Sequence, residues 1–142
     1  MAATATDTEE TLFADQNINA DAIAWSGEID RGADTLADLG TVLLEIDASP
    51  SDSWAAITAS DGYLRVLVAP LDGTAGTRYD DITGAPIAPV SEFAVDAALN
   101  EPVAVMLPQG CRYFQIGVQN KSGQNIINNA ASAKLLYQAV TL

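Results

Sequence analysis

The chain of 142 residues has no histidine and a single cysteine, Cys111. Without histidine it lacks the usual general base at neutral pH and the commonest transition-metal ligand. Ser-His-Asp and Cys-His arrangements are excluded, as are zinc sites of the Cys/His kind. One cysteine forms no intramolecular disulfide, so stability must rest on packing and backbone pairing. Cations are scarce as well, 6 against 19 acids, for a net charge of −13. Phosphate binding is carried by clustered Lys and Arg, so neither nucleic acid nor an anionic membrane is an expected partner. No apolar run approaches the ~20 residues that cross a bilayer. Met1 to Glu10 has neither the basic start nor the apolar core of a signal peptide, which predicts synthesis in the cytoplasm without export by the usual route.

What is present is apolar and turn-rich. Apolar residues make up 49% of the chain, which excludes wholesale disorder. A chain of this length is expected to form one domain and to bury ~68% of its unfolded surface. The acids are unevenly placed. Residues 1–81 hold 16 acids and 3 bases, whereas residues 82–142 hold 3 of each. Two readings follow: a solvated acidic surface, or an acidic face turned to solvent while a neutral face docks on a partner.

Along the chain, residues 1–10 are small, polar and acidic, and read as a mobile arm ahead of one domain over 11–142. Strands are expected from Thr11 to Ala14 and from Ala22 to Ile29, the second bent at Ser26-Gly27. Thr35 to Leu39 has the composition of one helical turn. Thr41 to Asp47 is a β-rich run, closed by the turn cluster Ala48 to Ser53. Trp54 to Thr58 is ambiguous. Asp61-Gly62 turns into a strand at Tyr63 to Pro70. Residues 74–91 read as a long loop and a surface of interaction. Short strands follow at Glu92 to Val95 and Pro102 to Leu107, and the last runs from Ser132 to Leu142.

The most patterned stretch is Cys111 to Asn120. Phe114, Ile116 and Val118 alternate with Tyr113, Gln115 and Gln119, the mark of a strand with one face in a core. About eight short strands, regular turn signals and no useful amphipathic helix predict an all-β fold. An antiparallel β-sandwich, in jelly-roll form with long loops, is the leading architecture.

Candidate chemistry is thin. Cys111 beside Arg112 has a neighbouring cation but no base to complete a nucleophilic pair, so a structural thiol is the better reading. Asp80-Asp81 is the best carboxylate pair for glycoside hydrolysis, but neighbours on an extended chain point to opposite faces. The same pair, with Asp30, Asp34 and Asp38, offers hard oxygens to calcium, although no EF-hand spacing occurs. No metal or other cofactor is therefore expected. Trp25, Trp54, Tyr63, Tyr79, Tyr113 and Tyr137 could line a sugar platform, with core or interface packing the preferred account.

One set of motifs carries a family resemblance. Leu107, Pro108 and Gly110 precede Arg112, Tyr113, Phe114 and Ile116; Ser122-Gly123 and a closing strand from Leu135 to Leu142 follow. Upstream stand Thr11-Leu12-Phe13, then Ser26-Gly27-Glu28-Ile29-Asp30-Arg31-Gly32, then a strand at Val42 to Ile46. Spread over roughly 11–142, this pattern resembles the cement, or decoration, proteins of tailed-bacteriophage capsids, which are small jelly rolls. The 74–91 loop and the Asn/Ala-rich stretch from Asn125 to Ala131 have no counterpart in the pattern.

The resemblance implies a non-enzymatic virion protein, made in the host cytoplasm, that binds the outside of an assembled shell and stiffens it. Its partners would be the major capsid protein and itself, as a homodimer or homotrimer. A phage tail or fibre-tip domain, or a carbohydrate-binding β-sandwich module, is the alternative. The expected contacts are the N-terminal arm and the 79–89 segment, through Tyr79, Asp80, Asp81, Ile82, Pro86, Ile87 and Pro89.

Overall fold

A computed structural model describes residues 4–30, 39–46, 63–71, 92–94, 99–108 and 111–141. Among these residues the chain is all-β, and its nine strands lie in two antiparallel sheets. They are β1 (Thr4–Ile18), β2 (Ile23–Trp25), β3 (Ile29–Asp30), β4 (Leu39–Ile46), β5 (Tyr63–Pro70), β6 (Glu92–Ala94), β7 (Leu99–Met106), β8 (Tyr113–Lys121) and β9 (Ile126–Thr141). Sheet A has the order β1-β9-β4-β7; sheet B has the order β2-β8-β5-β6, with β3 also on β8. The pairs are nested: β1 with β9, β2 and β3 with β8, β4 with β7, β5 with β6. Successive pairs alternate between the sheets. This is a long hairpin rolled into two layers, the connectivity of a jelly roll.

Period-two burial makes the two layers one sandwich. Phe114, Ile116 and Val118 of β8 are fully buried, together with Val42 and Leu44 of β4, Leu64 and Val66 of β5, and Leu135 of β9. These side chains, from both sheets, belong to a single core cluster. The expected inward face of 114–118 is therefore the core, and Tyr113, Gln115 and Gln119 stand on the opposite face.

Three boundaries differ from the sequence-based expectation. The 1–10 segment is not a free arm from Thr4 onward: Thr4 to Thr11 pairs residue for residue with Thr141 to Lys134. Its alternation of Thr with acids lacks the apolar face that marks a strand, because among the described residues β1 lies at the end of sheet A and only Leu12 and Ile18 of β1 are fully in the core. A register shift between Thr11 and Phe13 brings two consecutive side chains, Leu12 and Phe13, onto the core. Deleting residues 1–10 is thus expected to strip the edge strand from β9. The melting temperature should fall by ~10 °C or more, at roughly 3–5 °C per kcal/mol for a chain of this length; a calorimetric trace unchanged by the deletion would contradict the pairing.

The Asn/Ala-rich 125–131 stretch, expected to precede the last strand, largely belongs to it. From Ile126 it is the first part of β9, with Ile126, Ala130 and Ala131 buried. Asn128 and Asn129 take φ values of 63° and 52°. Asparagine tolerates that region, so the pair kinks the strand without ending it. Finally, β7 begins at Leu99, before Pro102. Pro102 cannot donate to a ladder, and β7 lies at the end of sheet A among the described residues, where proline is tolerated.

The expected bend at Ser26-Gly27 separates β2 from β3. Across the gap the buried Ser26 holds both groups of Ile116: its N–H donates to the Ile116 carbonyl (2.8 Å), and its hydroxyl accepts the Ile116 N–H (3.1 Å) and donates to the Gly27 carbonyl (2.8 Å). At the far end of β8 the buried Asn120 ties three segments together. Its amide donates to the carbonyls of Ile18 (2.8 Å) and Gln124 (2.6 Å), and its oxygen accepts the Ser122 N–H (3.0 Å). Asn120→Ala leaves several partly or fully buried polar groups unpaired, at a cost of ~2–4 kcal/mol. Urea unfolding checks this; a midpoint within error of the parent would refute the role.

Candidate docking surface

The outward face of sheet A follows from the register. Glu9, Leu136, Thr41 and Ala104 form one row across β1, β9, β4 and β7. Thr11, Lys134, Leu43 and Pro102 form the next. At one end Leu39 pairs with Met106, and Asp7 pairs with Gln138. On β9, β4 and β7 these positions alternate with core residues, so they cannot turn inward without a register slip.

The apolar side chains of this face run from Leu136 and Leu43 of the middle strands to the β7 edge, and the acids lie on the β1 edge and at Glu45. Leu39 is 68% exposed and Met106 60%, the large hydrophobic side chains most open to solvent among the described residues. Pro102 and Ala104 are exposed beside them, and Leu43 and Leu136 are half-buried. A depression of about 520 Å³ crosses β1, β9 and β4, lined by Asp7, Glu9, Leu39, Thr41, Leu136 and Gln138 among others. A second, of about 210 Å³, adjoins it at Thr11, Leu43, Glu45, Ser132 and Lys134. Asp7 accepts a hydrogen bond from Gln138 Nε2 (3.0 Å), and Lys134 Nζ stands 3.7 Å from Glu9. One lysine against Asp7, Glu9 and Glu45 leaves the rim negative.

Contiguous exposed apolar surface rimmed by polar groups marks an interaction site more often than solvent-facing decoration. Period-two reasoning did not find it. The available signal was that two runs carry apolar residues on both faces: Leu39 and Leu43 against Val42 and Leu44, and Pro102, Ala104 and Met106 against Val103, Val105 and Leu107. What joins those runs into one patch is the cross-strand register, which a sequence does not display.

The sequence-derived candidates fall as follows. Tyr79, Asp80, Asp81, Ile82, Pro86, Ile87 and Pro89 lie outside the described residues, as do Asp34, Asp38 and Trp54. Of the possible calcium ligands only Asp30 is described, and it is engaged elsewhere. Arg112 donates to both its oxygens, Nε at 2.7 Å and a terminal nitrogen at 3.0 Å. That hydrogen bond, then the Asp30 charge, hold the guanidinium above the ordinary arginine range. Among the described residues no three Cys, Asp or Glu side chains gather as a metal site. No helix among them is long and apolar enough to cross a membrane. Of the aromatic set, Tyr137 is in the core, whereas Trp25, Tyr63 and Tyr113 are only partly buried, on sheet B.

No family model matches the chain, and no curated protein matches it. Among solved structures, it is similar to a protein described as Family 16 Carbohydrate Binding Module-2, at 10% identity and a TM-score of 0.35, over 89% of this chain and 74% of that one. A second similarity is to a protein described under "Bacillus endospore appendages form a novel family of disulfide-linked pili", at 10% identity and a TM-score of 0.30, over 98% and 84%. Both scores are too low to transfer a ligand or a partner to this chain.

Proposed function

We propose that the chain is a structural virion protein that docks on the outer surface of an assembled tailed-phage capsid and stabilises it. The carrying observation is the exposed apolar face of sheet A, with Leu39 and Met106 at its open end and Leu43 and Leu136 across its middle. The nested jelly-roll order and the motifs from Leu107 to Ile116 support the same reading. The role is non-enzymatic and needs no cofactor. The partner is the major capsid protein, and the protein acts on the capsid surface as a homodimer or homotrimer. A symmetric shell presents many identical sites, so contacts that are weak singly hold by avidity.

The rim sets the partner's charge. Asp7 and Glu9 on the β1 edge and Glu45 near one end of β4 flank the apolar patch on one side, so the matching surface is apolar with basic groups along the side that meets them. Attachment to purified heads is therefore expected to weaken as salt rises from low ionic strength to ~1 M, where screening shrinks to ~3 Å. Attachment that strengthens steadily with salt would mean that the acidic rim opposes docking. The experiment for the function itself is sedimentation of the protein with mature heads and, separately, with tails; binding to tails alone would overturn it.

A further inference from the structure

The outward face of sheet B is unlike that of sheet A. Along β8 the outward residues are Tyr113, Gln115, Gly117, Gln119 and Lys121, alternating with buried Phe114, Ile116, Val118 and Asn120. Trp25 of β2 pairs with Gly117, and Tyr63 of β5 pairs with Lys121. Read along the strand, an aromatic residue therefore alternates with an amide: Tyr113, Gln115, Trp25, Gln119, Tyr63. At ~3.3 Å per residue the three rings stand at intervals of ~13 Å and the row spans ~26 Å.

The row is held in place. A Cβ built on Gly117 would lie 2.7 Å from Trp25 Cε3 and 3.0 Å from Cδ2, so the indole lies on the backbone where only glycine leaves room. Gln115 Nε2 donates to the Ser26 carbonyl (2.8 Å), and Gln119 Nε2 to the Asp21 carbonyl (3.4 Å). Each amide is thereby oriented by the backbone of the β2 segment, with its oxygen left as an acceptor. At one end Arg112, fixed by Asp30, stands 5.1 Å over the Tyr113 ring. At the other, Lys121 pairs with Asp21 at 3.1 Å. Rings and amides whose orientations are set before a ligand arrives lose little entropy on binding.

We infer that the β8 row of this face, which is partly open where Leu67 and Ala69 of β5 beside it are buried, is a binding platform for an extended neutral polysaccharide chain. Partly exposed rings offer flat apolar surfaces to the C–H faces of sugar rings, and the intervening amides match their hydroxyls. The ~26 Å span exceeds any monosaccharide and suits a chain of several units lying along β8. Charge argues for neutrality: Arg112 and Lys121 are each countered by an aspartate, and the third cation of this face, Arg65 of β5, stands in register between Gln119 and Glu92, so the cations form no continuous track of the kind a polyanion follows. The platform is on the opposite sheet from the docking face and does not depend on it, so a shell-bound copy could present it outward.

The test is titration calorimetry with neutral β- and α-linked glucan, xylan and chitin oligomers, dimers through hexamers, plus sulfated dextran and single-stranded DNA as charged probes. For at least one neutral series, affinity is expected to rise tenfold or more from dimer to hexamer. Trp25→Ala should lower hexamer affinity at least tenfold. Tyr63→Ala, at the end of the row, should lower hexamer affinity while leaving dimer affinity unchanged, and it keeps the test decisive if the Trp25 variant folds poorly. Gln119→Ala should weaken binding several-fold. No saturable binding in any neutral series would overturn the inference, as would length-independent affinity or tighter binding of either charged probe. Loss of head attachment in Tyr63→Ala without any glycan binding would likewise overturn it, and would make this face a protein interface. Head attachment unaffected by Tyr63→Ala, with glycan binding reduced, is the supporting pattern.

Discussion

Leu39→Asp together with Met106→Asp is expected to leave the protein folded and to abolish its attachment to capsids. Both side chains are more than half exposed, at 68% and 60%. Surface substitutions of that kind usually change stability by no more than ~0.5 kcal/mol. At an interface the same side chains lose water. Burying a residue of this size is worth ~1.5–3 kcal/mol, so removing two forfeits ~3–6 kcal/mol per contact. That is a 10²–10⁴-fold loss of site affinity, at ~1.4 kcal/mol per tenfold. Two carboxylates placed against an apolar partner surface add a desolvation cost. The loss compounds where several copies bind together. Sedimentation with heads reads the attachment, and a melting curve reads the fold. A variant that melts like the parent and still decorates heads would remove this face from the docking account.

Phe114→Ala carries the largest expected effect on stability. The ring is fully buried, in β8 at the centre of sheet B, and belongs to the cluster that joins the two sheets. On either side of it in register stand Ile29 of β3 and Pro70 of β5. Truncation loses the transfer energy of the ring and leaves a cavity that a two-layer core cannot collapse around, at ~3–5 kcal/mol. Much of a typical domain's stability of ~5–15 kcal/mol would be gone. Phe114→Leu keeps most of the volume and should cost far less, which separates cavity formation from any special need for an aromatic ring. Equal losses in the two variants by urea unfolding would contradict a packing role.

How far the sequence could be read depended on whether one strand or two had to be seen. Tyr113 to Asn120 shows its own inside and outside, because alternation is a property of a single strand. The runs at Thr41 and Tyr63 were legible from their β-rich composition and the turn signals beside them, although 63–70 is buried on both faces over much of its length. Thr4 to Glu10 was not, since a strand at a sheet edge needs little apolar surface and its partner, Leu135 to Thr141, is more than a hundred residues away. Ile126 to Ala131 was hidden by small side chains: Ala130 and Ala131 fill core positions without looking like a core. The two surfaces were less legible still. Leu39 meets Met106, and Trp25 meets Gly117, only through pairings between distant strands. Trp25, Tyr63 and Tyr113 could be named as aromatic residues, but their order along one sheet face required the register of β8.

The central claim is attachment to a capsid, and one measurement tests it most directly. Purified protein is mixed in excess with heads assembled from the major capsid protein encoded in the same genome. The heads are then pelleted, and the bound copies counted by quantitative gel or by single-particle imaging. The expected result is saturation at a fixed number of copies per head, a multiple set by the shell's symmetry, with added resistance to heat or chelation. Heads that pellet bare at saturating protein, or that bind it without a plateau, would contradict the account.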